Sequence, residues 1–122
     1  MKISKIEPSR EFEVGISFIK LKHTADIELN DNEMVTFRNK NNLEYDVTKK
    51  NWGFYATPSL GGRLKNKGYN ALIMRNKKTR HCYVVIVENG FEDEFQNYCK
   101  EENQEIVVWL NDFEKLANMS SL

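Results

Sequence analysis

Long apolar runs are missing from this chain, and no stretch approaches the ~20 residues that a membrane-spanning helix needs. Cysteine is scarce: two residues, Cys82 and Cys99, cannot build a disulfide framework. With His23 and His81 they are too scattered for a structural zinc, which takes about four ligands at tight spacing. Both cysteines sit in apolar patterns, so two buried, reduced thiols are expected, with no metal and no cofactor. With two histidines, catalytic sets are thin, and there is no Gly-x-Ser-x-Gly elbow. Met1 to Arg10 is charged and lacks the apolar core of a secretory signal. Together with the reduced thiols this predicts a cytoplasmic protein, and the glycosylation sequon at Asn118-Met119-Ser120 is set aside for the same reason.

What is present suits one soluble globular domain spanning residues 1–122, with 40% hydrophobic and 30% charged residues. The formal net charge of zero hides a strong asymmetry. Residues 1–37 carry five basic and seven acidic side chains, residues 38–80 eleven and two, and residues 81–122 two and nine. The basic middle either meets an anionic partner or is neutralised by the acidic end within the fold.

Hydrophobic periodicity gives the elements. Phe12, Val14, Ile16 and Phe18 alternate along one face of a strand over 11–19. Short strands are predicted over 25–29, 34–38, 43–47 and 52–56, separated by turn residues at 30–33 and 39–42. Thr57 and Pro58 read as N-cap and first position of a short helix that Gly68 closes. Strands over 69–74 and 81–87 follow, the second nearly all apolar and therefore expected to be central and buried. Phe91, Phe95, Tyr98 and Cys99 fall on one face of a helix over 91–100, whose first turn is acidic (Glu92, Asp93, Glu94) and whose last carries Lys100. A strand over 106–110 and a short terminal helix over 112–118 complete the chain. The expected class is α+β: an antiparallel meander, then a β-β-α-β unit, in one mixed or antiparallel sheet with one main helix packed on it. Val84, Ile86, Phe95, Val107 and Trp109 are expected in one core, and Phe91, Phe95, Tyr98 and Trp109 as core aromatics.

The most unusual stretch is Asn51 to Lys65, which combines aromatics, hydroxyls, a glycine pair and two cations. If Thr57 starts a helix, the amides of Ser59, Leu60 and Gly61 are unpaired donors suited to an anion. Gly61 and Gly62 give steric room, and Arg63 and Lys65 could reach back to a phosphate. The candidate ligand-binding set is Trp52, Tyr55, Thr57, Ser59, Gly61, Arg63 and Lys65. The spacing is neither that of a P-loop nor that of a dinucleotide fingerprint, so a capped turn with a tight glycine crossing explains it equally.

The run Trp52-Gly53-Phe54-Tyr55-Ala56-Thr57-Pro58-Ser59-Leu60, continued by Arg63-Leu64-Lys65, resembles a group of short, uncharacterised bacterial proteins associated with surface-polysaccharide gene clusters. The likeness extends loosely to 83–88 and to Glu105 to Leu110. It implies a bacterial cytoplasm and carbohydrate metabolism, and it carries over no catalytic residue.

These readings converge on a small binding or accessory module for an anionic, phosphate-bearing metabolite such as a nucleotide or sugar. One alternative is a small enzyme acting on a nucleotide-linked or phosphorylated sugar, with Asp46, Tyr55 or His81 moving protons. Asp46 and Glu44, the two carboxylates of the basic segment, share a strand face opposite Tyr45. A nucleic-acid or protein-interaction module is the other alternative. An isoelectric point near 6.7 disfavours nucleic acid. No membrane partner is expected, and a homo-oligomer is compatible with the sequence.

Overall fold

The computed structural model describes residues 1–111 and 118. The chain folds as two compact units, Met1–Thr57 and Pro58–Leu122.

The first unit opens with a long ribbon. Strand β1 (Lys2–Val14) pairs antiparallel with β2 (Ile19–Glu28). In the distal half Phe12 faces Leu21 and Val14 faces Ile19, while Glu11–Lys22 and Glu13–Lys20 pair on the other side. Charged residues that look unstructured in sequence are thus the polar rungs of a ladder. Opposite charges directly across such a ladder favour pairing. The register slips between Lys5 and Arg10, where the Glu7–Pro8 peptide is cis. Phe12 and Leu21 keep about four-tenths of their surface exposed (38% and 43%), so the apolar face of the ribbon is only half covered. The alternation over 11–19 does not continue as one strand. Gly15 (φ 79°) lets the chain reverse, and Ile16 and Phe18 stand out at the tip.

Strands β3 (Met34–Arg38), β4 (Glu44–Lys50) and β5 (Gly53–Ala56) form an antiparallel three-stranded sheet in chain order. An Asx turn joins β3 to β4, and a Glu33 side-chain bond closes the turn before β3. The Asn39 side chain accepts the amides of Asn41 and Leu43, and the Glu33 carboxylate accepts the amide of Asn30 at 2.7 Å.

In the second unit a single helical turn, α1 (Arg63–Asn66), precedes β6 (Tyr69–Asn76), β7 (Cys82–Glu88), helix α2 (Glu92–Glu101) and β8 (Gln104–Trp109). The sheet order is β7-β6-β8, all antiparallel. Leu72, Met74, Val87 and Cys99 are the buried cluster, with Val85, Phe95, Ile106 and Trp109 packed against it. By register these sheet residues share one face, and Phe95 and Cys99, four apart, bring α2 onto it.

The α+β expectation is corrected. Strands make up 54% of the described residues and helices 13%, in three small sheets rather than one sheet under a main helix. Two causes stand out. Residues 2–10 are strand, and the helix expected from Thr57 to Gly68 contracts to one turn around its two glycines. The β7 strand is not central: β6 is, because β8 returns through α2 to the far side of β6. Val84 is accordingly 72% exposed and Val107 42%, so neither belongs to the core. Phe91 and Tyr98 are also exposed, and so is Cys82, leaving Cys99 as the one buried thiol. Of the terminal helix expected over 112–118, residues 112–117 lie outside the described residues. Among the described residues no helix is long and apolar enough to cross a membrane.

Candidate functional site

The three-stranded sheet gathers an unusual set of polar groups on one face. Register places Thr36, Glu44, Asp46, Thr48, Lys50 and Tyr55 on that side, with Val35, Tyr45, Val47 and Phe54 on the other. Glu44 and Asp46 therefore do share a face opposite Tyr45. Asp46 and Thr48 are buried, each 8% exposed. The Thr36 hydroxyl donates to Asp46 Oδ1 at 2.6 Å, which holds the carboxylate against the sheet. The Thr48 and Thr57 hydroxyls are also 2.6 Å apart, and the Thr57 amide donates to the Asp46 carbonyl at 3.1 Å. Tyr45, on the opposite face, is pushed above the ordinary tyrosine range by burial.

Aromatic rings stand at the end of this row. Trp52, in the β4–β5 turn, stacks on Tyr55 with centroids 6.0 Å apart and planes 27° apart. Both remain open, Trp52 at 67% and Tyr55 at 42%. Lys50 lies on the Tyr55 face and donates from Nζ to Asn32 Oδ1 at 2.6 Å. A stacked pair with exposed ring area, next to a cation and hydroxyls, can receive a flat ring and an attached negative group.

The seven candidate residues divide between the two units. Trp52, Tyr55 and Thr57 lie together around β4 and β5. Ser59, Gly61, Arg63 and Lys65 belong to the second unit, at α1. Thr57 is not a helix N-cap; Gly62 occupies that position, with no side-chain cap. Internal bonds form at the amides just beyond the expected donors Ser59, Leu60 and Gly61. The Ser59 carbonyl accepts the amides of Gly62 (3.3 Å) and Leu64 (3.0 Å), and the Ser59 hydroxyl accepts the amide of Arg63 at 3.3 Å. A Cβ on Gly62 would meet Ser59 Oγ at 2.5 Å, so the glycine serves this tight turn. Leu64 anchors the turn at 2% exposure, and Arg63 and Lys65 point their charges to the surface. Residues 59–66 therefore form a tight turn bonded through Ser59.

Of the proton-transfer candidates, Asp46 and Tyr55 share the sheet face, whereas His81 lies exposed before β7 in the second unit. Part of the basic segment is neutralised by the acidic one. Arg75 donates to Glu105 Oε2 from Nε (3.1 Å) and Nη2 (3.0 Å), and Arg80 reaches the same oxygen at 3.7 Å. Among the described residues no group of three or more His, Cys, Asp or Glu side chains could hold a metal ion. An open depression of about 470 Å³ runs along the bulge of the β1–β2 ribbon, between Lys5, Pro8 and Thr24, and contains none of the candidate residues. Thr48 and Lys50 were not among the candidates in sequence. The period-two reading of 44–50, combined with pairing to Tyr55, would have found them. No family model, curated protein or solved structure matches the chain.

Proposed function

We propose that the chain is a binding module for a small ligand that joins a flat or apolar ring face to negative charge, such as a nucleotide or a phosphorylated sugar. The observation that carries this reading is the exposed Trp52–Tyr55 stack beside Lys50 and the Thr48–Thr57 hydroxyls. The rings supply the stacking surface, and Lys50 supplies the charge on the same face. Arg63 and Lys65 belong to the second unit and to the basic 38–80 segment. The resemblance of the Trp52–Lys65 run to polysaccharide-cluster proteins favours a sugar-bearing ligand and a bacterial cytoplasm. A binding role is favoured over turnover because Asp46 is already bonded to Thr36 and no second proton carrier of the candidate set lies in the same unit except Tyr55.

Trp52 reports the test. Titration with uridine diphosphate, adenosine monophosphate and glucose 1-phosphate should change tryptophan emission saturably in wild type and in Trp109→Phe, but not in Trp52→Phe. Lys50→Ala should weaken binding about tenfold or more, the loss of one charge-assisted hydrogen bond. Consumption of the ligand would favour the enzyme, and no response to any of the three would overturn the proposal.

A further inference from the structure

We propose that the open edge of β7 pairs antiparallel with the β7 strand of a second copy of this chain. Among the described residues β7 has one sheet neighbour, β6. The Asn76 amide donates to the His81 carbonyl and the Asn89 amide to the Gly68 carbonyl, both in the register that joins β6 and β7. Hydrogen-bonded pairs alternate along an antiparallel ladder, so residues 81, 83, 85, 87 and 89 turn their amides and carbonyls toward β6. Cys82, Val84 and Ile86 turn theirs to the open edge, as Glu88 does its amide, while the Glu88 carbonyl accepts the Phe91 amide at 3.0 Å.

Natural edges are blunted by lysine, proline or a bulge. The other edge of this sheet has such a device: the β6–β8 register slips between Ile73 and Met74, and β8 begins with Gln104 and Glu105. Along Cys82–Val87 there is no charge, no proline and no bulge, and Val84 is 72% exposed.

The strand is also self-complementary. A two-fold axis through Val85 sets Val84 against the partner's Ile86 and Cys82 against the partner's Glu88. Val84 and Ile86 of each copy then enter full hydrogen-bonded pairs, and the Glu88 amide meets the partner's Cys82 carbonyl. The same register brings Arg80 diagonally opposite the partner's Glu88, so the basic end of one strand meets the acidic end of the other. The apolar side chains outside the α2 core, Ile73, Val84, Ile86 and Val108, become one face of a continuous six-stranded sheet.

The partner is a second copy, and the test is the mass in solution. At about 100 µM, light scattering coupled to size exclusion should give twice the 14.4 kDa of the chain. Val84→Lys, on an exposed side chain, should halve that mass without lowering the melting temperature of the fold. Val84→Pro removes an amide that faces away from β6, so it should also leave a folded monomer. Exchange of the Val84 and Ile86 amides should be slow in wild type and fast in Val84→Lys. A monomeric wild type, slow exchange in a monomer, open-ended aggregation, or a dimer that survives both substitutions would each overturn the proposal.

Discussion

Thr57 closes on Thr48, their Oγ1 atoms 2.6 Å apart at the end of the three-stranded sheet. The contact lies across Thr48, which is 8% exposed, so its hydroxyl has little access to water. Removing Thr57 Oγ1 leaves that hydroxyl without this partner, a loss of ~1–3 kcal/mol for a buried polar group. Thr57→Val should lower stability to urea by about that amount. Thr48→Val combined with Thr57→Val should recover part of the loss, because both polar groups are then gone. A double variant as unstable as the sum of the singles would show that the hydroxyls do not interact.

Gly62 and Ser59 should be coupled in the same way, with opposite cause. A methyl at Gly62 runs into Ser59 Oγ at 2.5 Å. Gly62→Ala therefore forces the exposed Ser59 hydroxyl to turn away and give up its bond from the Arg63 amide, an expected cost of about 0.5–1.5 kcal/mol. Ser59→Ala removes the obstacle along with its 3.3 Å bond from the Arg63 amide. The double variant should be closer to Ser59→Ala alone than to the sum. Thermal melts of the four proteins decide it.

Core placement separates Leu72 of β6 from Val84 of β7. Leu72 is fully buried in the cluster under α2, and Val84 is 72% exposed. Leu72→Ala should cost ~2–5 kcal/mol, the usual range for a large buried aliphatic cut to alanine. Val84→Ala should change the stability of the isolated fold by no more than about 0.5 kcal/mol, measured at a concentration low enough to keep the chain monomeric. Equal losses at the two positions would place Val84 in the core after all.

The contrast between these strands also marks how far the sequence is legible. The β3 strand falls where its alternation puts it, 34–38, and α2 at 92–101 is one residue from the periodic reading, because its apolar spacing and acidic first turn are local signals. The rank of a strand within its sheet is not local. The run Cys-Tyr-Val-Val-Ile-Val looks like a central strand, yet β6 takes the centre because the α2 crossover delivers β8 to its other side. Residues 2–10 escape the periodic reading because a polar ribbon gains its order from cross-strand partners far along the chain, such as Ile3 with Ile27. At the candidate site the aromatic pair was legible in composition. The start of the helix was not, since Gly62 takes the N-cap position expected at Thr57 and the turn before it is bonded through Ser59.

The two thiols should behave differently, and alkaline pH is where the difference shows. Cys82 is exposed, while burial pushes the Cys99 thiol above its ordinary range, with Lys77 pulling weakly the other way. At pH 8 under native conditions one thiol per chain, Cys82, should react readily with iodoacetamide, and Cys99 only on unfolding. The same shift links to stability. Cys99 keeps its proton in the folded state at a pH where the unfolded chain loses it, so the unfolded state gains from deprotonation first. The contribution is complete below the unfolded thiol value of about 8.5 and is lost as pH rises through the folded value. Tyr45 and Tyr69 are also raised, Tyr69 by burial and then by Glu88, and both push in the same direction at higher pH, from about 10 upward. Stability to urea should therefore fall from about pH 8.5 upward, and Cys99→Ala should flatten the first part of that decline while leaving the later, tyrosine part in place. A wild type whose stability is constant from pH 8 to 10, or a Cys99→Ala variant with an unchanged slope, would rule this linkage out.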